Sequence, residues 1–198
     1  MTGERAVVLT DPYEHPESVL VSHLFVAPGG RVALAHRHPE SRERFHVLAG
    51  QVGFRIGDSE RTLGPGDSAE VPVETVHDWW QVGEEVASVV VEVDPGERFV
   101  ELVGTFFGLA RDGEVDRKGM PHLLQLAVSA SAYRNTLVPA SPPEAVQRVV
   151  FGVLAPIGRA LGRKPTYDEY LHTDVVVEPD PAALALLDES GRLRFVVA

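Results

Sequence analysis

Three histidines and one glutamate in the first half of the chain have the types and spacing of a metal site. His36 and His38 stand two residues apart at the end of a predicted strand, where alternate side chains share one face. Glu43 follows a turn at 39–41 and starts the next strand, which can run back beside the first. His77 lies further along, again at a strand start. Two histidines and a carboxylate on one face form the facial triad of non-haem Fe(II) sites.

The third histidine decides what such a site could do. It gives the ion four protein ligands and leaves about two octahedral positions open. A closed site is structural, whereas an open one accepts water, dioxygen or substrate. Without a metal, four polar groups directed into a narrow barrel would cost on the order of several kcal/mol to desolvate. The chain has no cysteine, which excludes thiolate zinc sites, Fe–S clusters and disulfides.

The elements that must position these residues are short strands separated by glycine and proline turns. Apolar and β-branched runs predict strands over 19–27, 31–35, 45–49, 52–56, 69–73, 77–82 and 86–93. Many short strands at close spacing are typical of a sandwich or barrel.

The pattern becomes helical after residue 94. Asp94, Pro95 and Glu97 predict a helix start with a capping box. Ser141 and Glu144 predict a second capping box, and Pro156 is expected to kink or split the helix that follows. Helices are predicted over 95–112, 121–134, 141–162 and 180–191, with a last strand over 193–197.

The chain therefore divides into a β barrel, 15–94, and a helical extension, 95–198. The extension is too apolar to stand alone in water. We expect it to pack on the outer face of the barrel or to form a contact in a homodimer. The alternative is that it covers the barrel mouth and shapes a pocket.

Net charge and hydropathy exclude several classes of protein. Lys and Arg number 18 against 29 Asp and Glu, which gives a net charge of −11. Such a chain lacks the basic footprint of a nucleic-acid binder and is not attracted to anionic membranes. The longest uncharged stretches, 119–133 and 149–158, are shorter than the roughly 18–20 residues of a spanning helix. The first twenty residues carry no signal-peptide pattern, so we expect a cytoplasmic location.

The first metal-ligand segment resembles the first motif of the cupin family, G-x5-H-x-H-x4-E-x6-G. The residues that match it are Gly30, His36, His38, Glu43 and Gly50.

A second segment resembles the second cupin motif, G-x5-P-x-G-x2-H-x3-N. Gly66, Pro72 and His77 match it, whereas Glu74 replaces the later glycine and Gln81 replaces the asparagine. Glu74 costs strain if its position needs a positive φ.

The resemblance covers about residues 18–94 and implies a double-stranded β-helix, or jelly roll, with a helical extension. The family's metal ligands correspond to His36, His38, Glu43 and His77. The resemblance implies one divalent transition metal, Fe, Mn, Ni, Cu or Zn, and a small-molecule ligand or substrate. Family activities include dioxygenation, isomerisation, epimerisation, decarboxylation and cyclisation, and some members are non-catalytic binding modules.

Counting by two along the ligand-bearing strands puts four further side chains beside the metal. They are Phe45, Val47, Trp79 and Gln81. They predict an apolar pocket with one amide to orient a ligand; alternatively, Trp79 and Phe45 simply fill the barrel. His23 is a candidate pocket base, although strand parity cannot be carried to it across the Gly29–Gly30 turn.

These features predict a metal-dependent enzyme acting on a small organic substrate. An oxygenase is preferred to an isomerase or cyclase, because the predicted pocket is apolar and aromatic rather than lined by Lys, Arg and Tyr. The alternatives are a non-catalytic, metal-dependent binding module and a metal that serves only as a structural brace.

Overall fold

The computed structural model describes residues 4–14, 18–31, 34–117, 119–171 and 177–194. The strands in these ranges are β1 Arg5–Thr10, β2 Leu20–Val26, β3 His36–Arg37, β4 Arg42–Ala49, β5 Gln51–Ile56, β6 Ser59–Leu63, β7 Ser68–Val71, β8 His77–Val82, β9 Ala87–Asp94 and β10 Val138–Pro139. The helices are α1 Glu97–Arg111, α2 Leu123–Ala132, α3 Glu144–Ala160, α4 Asp168–Leu171 and α5 Pro181–Leu184.

The strands form two five-stranded antiparallel sheets. Their orders are β1-β2-β9-β4-β7 and β10-β3-β8-β5-β6. The inner faces share one hydrophobic core that includes Phe45, Val47, Phe54 and Trp79. The predicted mainly β fold with a helical extension is confirmed.

Alternation along β4 shows how the sequence directs ligands inward. Glu43, Phe45 and Val47 are buried, whereas Arg44 and His46 between them are less covered and face the other side. Because the side-chain period of a strand is two, one apolar stripe fixes the inward direction of Glu43 as well.

The outer face of the first sheet is covered by the C-terminal segment. Ala183 and Leu193 form a cluster with Val19, Val21 and Val90. The backbone N–H of Leu193 also donates to Glu92 Oε2 at 2.8 Å. The strand β9 is therefore buried over most of its length, since both of its faces are packed.

The extension also enters the second sheet. β10 pairs antiparallel with β3, with Val138 opposite Arg37 and Pro139 opposite His36. Two residues ending in proline carry no strand pattern, so the sequence did not predict this strand. β1 and β6 were also missed, and β1 extends the first sheet to residues before 15.

Both predicted capping boxes are wrong. α1 has Gly96 at its N-cap and α3 has Pro143, each without a side-chain capping bond. Asp94 instead binds Arg42 at 3.1 Å and Arg192 at 2.8 Å, because two guanidinium groups compete for its carboxylate.

Pro156 does not split the helix, since α3 continues through it to Ala160. Packing outweighs the lost hydrogen bond, because Ala155 clusters with Ala127 and Val128 on α2. Of the predicted last strand, the described part shows a single bridge between Leu187 and Leu193. Residues 195–197 lie outside the described residues. Within the described ranges, the helices are too short or too polar to cross a lipid bilayer.

Of the predicted strand over 31–35, Arg31 forms an isolated bridge with Trp80, and residues 34–35 are not in a strand. Residues 32–33 lie outside the described residues.

Candidate metal centre

The structure brings the four predicted ligands together between the two sheets. His36 lies on β3 directly opposite His77 on β8, and Glu43 lies on β4 of the other sheet. His38 follows β3. One ligand atom from each residue lies within 4.8 Å of the others, and all four residues are buried.

Backbone carbonyls fix the orientation of each imidazole. In every case Nδ1 contacts a carbonyl oxygen, which can only accept, so Nδ1 carries the proton and donates. The acceptors are Leu34 O for His36 at 2.7 Å, Thr136 O for His38 at 2.6 Å and Thr75 O for His77 at 3.0 Å. The three Nε2 atoms are therefore left to face the centre with their lone pairs.

These donor atoms conflict with one another unless a cation lies among them. The Nε2 atoms of His36 and His38 are 3.0 Å apart. Glu43 Oε2 lies 2.8 Å from His77 Nε2, and its Oε1 lies 3.5 Å from His38 Nε2. Neutral imidazoles with protonated Nδ1 would direct only lone pairs at this point. A proton or a metal ion removes that repulsion, so the donor set fits a cation.

The distances also suit a transition metal. Two nitrogens at about 2.1 Å from one ion and at right angles are about 3.0 Å apart. The Nε2 atoms of His36 and His38 have this separation. Three imidazoles and one carboxylate are ligands that suit Fe, Mn, Ni, Cu and Zn alike.

The acid–base state of the cluster follows from burial and charge. Burial acts to raise the pKa of Glu43, but His38 and His77 hold it well below its ordinary value. Burial acts to lower the pKa of His38, yet the Glu43 carboxylate raises it. Burial and the charges of the other two histidines lower the pKa of His36 to about 4. A cation at this point would therefore lie against the Glu43 carboxylate, which stays ionised.

The extension completes the surroundings of His38. Its imidazole donates to Thr136 of the α2–β10 connection and meets the ring of Phe99 on α1, with ring centroids 5.3 Å apart. Sequence reasoning missed Leu34, Thr75 and Thr136, because any residue type offers a carbonyl. Leu34 and Thr75 each precede their histidine by two residues, and this shared spacing is the one signal that could have pointed to those two carbonyls.

Three of the pocket candidates lie in the core behind the ligands. Phe45 meets Phe54 edge-on with centroids 4.7 Å apart, and Phe54 stacks on Trp79 at 5.8 Å. Phe45, Val47 and Trp79 are 1%, 0% and 3% exposed. Their role in binding a substrate stays a prediction.

Gln81 lies four residues beyond His77 on β8, with its amide engaged by turns. Its Oε1 accepts from Gly29 N at 2.8 Å. Its Nε2 donates to the carbonyls of Val82, Gly83 and Glu85 at 2.7–3.0 Å. In this arrangement Gln81 braces two turns.

His23 lies on the opposite face of the first sheet from the ligands. Leu20, Leu24 and Val26 of β2 belong to the inner core, so His23 alternates to the outer side with Val21. Its Nε2 is 2.6 Å from Ser88 Oγ. The structure therefore does not bring His23 to the metal ligands.

We expect His23 to make stability depend on pH. Burial lowers its pKa from 6.5; Asp180 opposes the shift and Arg5 adds to it. As pH falls through 6.5, the unfolded chain takes up a proton that folded His23 resists, so this contribution to stability is lost on acidification. His23→Gln keeps a donor for Ser88 but does not titrate. In denaturant titrations, the wild type should lose more unfolding free energy than His23→Gln when the pH is lowered from about 7.5 to about 5. Parallel pH profiles would contradict the assignment.

Glu74 has the predicted strain. Its φ is 61°, and its N–H donates to His38 O at 2.8 Å in the turn before His77. Left-handed backbone is costly for residues with a Cβ. Glu74→Gly should be more stable than Glu74→Ala by roughly 0.5–1 kcal/mol in chemical denaturation. Both variants lose the exposed ion pair with Arg37, so their difference isolates the backbone. Equal stabilities would show that the turn is unstrained.

The segment that carries this centre is similar to known proteins. Residues 22–97 match the model of the Cupin domain. The chain is 33% identical over 115 residues to germin-like protein 3-8 of Oryza sativa subsp. japonica, covering 50% of this chain and 51% of that protein. The chain thus spans about half the length of this curated relative.

Solved structures are also similar. A cupin 2 domain-containing protein from Halorhodospira halophila has a TM-score of 0.44 at 23% identity, covering 48% of this chain and 66% of that one. A sugar phosphate isomerase of the cupin superfamily from Silicibacter pomeroyi has a TM-score of 0.43 at 23% identity, covering 48% and 60%. The part of the chain that matches the cupin model, residues 22–97, is thus the part that holds the four converged ligands and most strands of the two antiparallel sheets.

Proposed function

We propose that the protein is a metal-dependent enzyme acting on a small organic substrate. The observation that carries this proposal is the convergence of three imidazoles and one carboxylate within 4.8 Å. The Nδ1 atoms of the three imidazoles donate to backbone carbonyls, so their Nε2 atoms are free to bind one ion.

His36, His38, Glu43 and His77 would hold the ion. When bound, a transition metal supplies a Lewis acid or a binding place for dioxygen. The carbonyl of Thr136 orients His38, and those of Leu34 and Thr75 orient the other two imidazoles. One carboxylate among neutral imidazoles leaves a divalent ion with a net positive charge, which favours an anionic oxygen of the substrate.

Oxygenase chemistry is preferred to isomerase or cyclase chemistry. Proton transfer in an isomerase needs an acid or base beside the substrate. In the described part of the chain, the hydrogen-bond partners and ring contacts of the three imidazoles outside the ligand set are backbone carbonyls and the Phe99 ring. These groups do not exchange protons at neutral pH. An isomerase or cyclase is the alternative enzyme.

A non-catalytic binding module is the second candidate. The burial of the ligands favours it, because His38 and His77 are only 2% and 1% exposed. Deep burial of the ligands restricts the access of solutes to the ion, which favours binding over turnover.

One experiment separates these candidates. Metal-free protein is reloaded with Fe(II), Mn(II), Ni(II), Cu(II) or Zn(II) and assayed by elemental analysis and by dioxygen consumption with aromatic diols, thiols and sugar phosphates. His36→Ala taken through the same reloading procedure serves as the matched control. Iron-dependent dioxygen uptake would support the oxygenase, and turnover without dioxygen the isomerase or cyclase. Stoichiometric ion binding without turnover would favour the module. Failure to bind any of the five ions would overturn the proposal.

The finer expectations from the sequence stay predictions: a small-molecule partner, no nucleic-acid or membrane partner, a cytoplasmic location and a homodimer.

A further inference from the structure

The helix α3 presents a continuous apolar face to solvent. Its large apolar side chains there are between 39% and 68% exposed: Val146, Val149, Val150, Val153, Ile157 and, at its C-cap, Leu161. The exposed residues between them are small or apolar: Ala145, Gly152, Pro156 and Ala160. At about 3.6 residues per turn, all ten residues lie within one half of the helix surface.

The opposite half of α3 is already occupied by α2. Phe151, Leu154 and Ala155 cluster with Ala127 and Val128. A helix that is apolar on both sides is normally buried on both sides. Surface helices of monomers place polar side chains outward, so the exposed face of α3 indicates a missing partner.

We propose that this α3 face docks a second copy of the chain in an antiparallel, twofold arrangement. The central stripe Val146, Val150, Val153 and Ile157 has spacings of four, three and four residues, which read the same from either end. A twofold axis between residues 151 and 152 therefore sets Val146 against Ile157 and Val150 against Val153 of the other copy. Open space beside the Cα of Gly152 allows the two helices to approach closely.

The exposed area suits a dimer. The six large side chains together leave on the order of 500 Å² of apolar surface in water, near the upper end for the largest patch on a monomer. Two copies would bury about 1,000 Å² in total, which reaches the lower bound of a specific interface.

A second copy fits this face better than a membrane does. A helix that lies in a bilayer surface needs a charged face opposite its apolar one, whereas the opposite face of α3 is covered by α2. The charged residues that border the face are Arg148 and Arg159 alone among the exposed residues from 145 to 161. The net charge of −11 further opposes attraction to anionic lipid.

The oligomeric state of the full chain tests the proposal. Sedimentation equilibrium should give twice 21.5 kDa for the wild type. Val153→Glu places two carboxylates near the twofold axis and should weaken self-association at least about 100-fold. Val86→Glu, at a site that is 50% exposed on the β8–β9 connection, is the matched control and should stay dimeric. A monomeric wild type, or a dimer unaffected by Val153→Glu, would overturn the proposal.

A second measurement covers the case in which Val153→Glu fails to fold. The chain has no cysteine, so Val153→Cys should form an intermolecular disulfide on mild oxidation and Val86→Cys should not. Equal cross-linking of both would count against the α3 face. Flotation of the wild type with phosphatidylserine vesicles, lost in Val153→Glu, would assign the face to a membrane instead. Metal content is measured in parallel, since its loss would bear on the metal centre and not on this surface.

Discussion

His36→Ala and His77→Ala should each abolish stoichiometric binding of a divalent transition metal. Each change removes one of four donors that lie within 4.8 Å of one another. Loss of a supporting outer partner alone typically lowers metal affinity 10–100-fold, so we expect loss of a ligand to exceed about 100-fold. Elemental analysis of the purified variants and calorimetric titration with the metal measure the effect.

The fold should survive these substitutions. Alanine leaves a small cavity but also removes a lone pair that faces other lone pairs, so the two effects partly offset each other. His46→Ala is the matched control, because His46 faces outward and contacts Ser68 Oγ at 2.9 Å. Undiminished metal content in His36→Ala, with circular dichroism unchanged, would refute the ligand assignment.

Phe45→Ala should lower the free energy of unfolding by about 3–5 kcal/mol. Phe45 is 1% exposed and packs against the rings of Phe54 and Trp79. Truncation leaves a cavity that these rings cannot fill without leaving their present contacts. Urea denaturation followed by Trp fluorescence and circular dichroism measures the loss.

Two further variants make the Phe45 result interpretable. Phe45→Leu keeps most of the volume and should cost less than half as much. Leu34→Ala, at a side chain that is 66% exposed, should change stability by less than about 0.5 kcal/mol. If Phe45→Ala costs no more than Leu34→Ala but changes small-molecule binding, Phe45 lines a pocket rather than the core.

The parts of the fold that depend on local side-chain period were predictable from sequence. The strand β8 was predicted with its observed bounds, His77–Val82. The two-residue spacing of His36 and His38 and the strand starts at Glu43 and His77 predicted that these side chains converge. This worked because the register of a strand also determines which face each side chain occupies. The positive φ of Glu74 could be anticipated because Glu74 stands where the second cupin motif has a glycine.

The parts that depend on tertiary competition were not predictable. Asp94 has the sequence of a helix cap, but Arg42 and Arg192 bind its carboxylate. The carbonyl of Thr136 could not be identified from sequence, because every residue type has a backbone carbonyl. The pairing of β10 with β3 joins segments about 100 residues apart. Such contacts depend on how the extension folds back, which local patterns do not encode.

The pairing of β10 with β3 connects the metal centre to α3 through a continuous set of contacts. Thr136 orients His38, and Gln147 on α3 donates to the carbonyls of Pro139 and Pro142 at 2.7 Å. The segment that carries β10 is thus tied to the centre at one end and to α3 at the other. By reciprocity, any event on α3 that alters metal affinity is itself altered by the metal to the same extent. If self-association through α3 changes the metal affinity, the bound metal changes the self-association constant by the same factor.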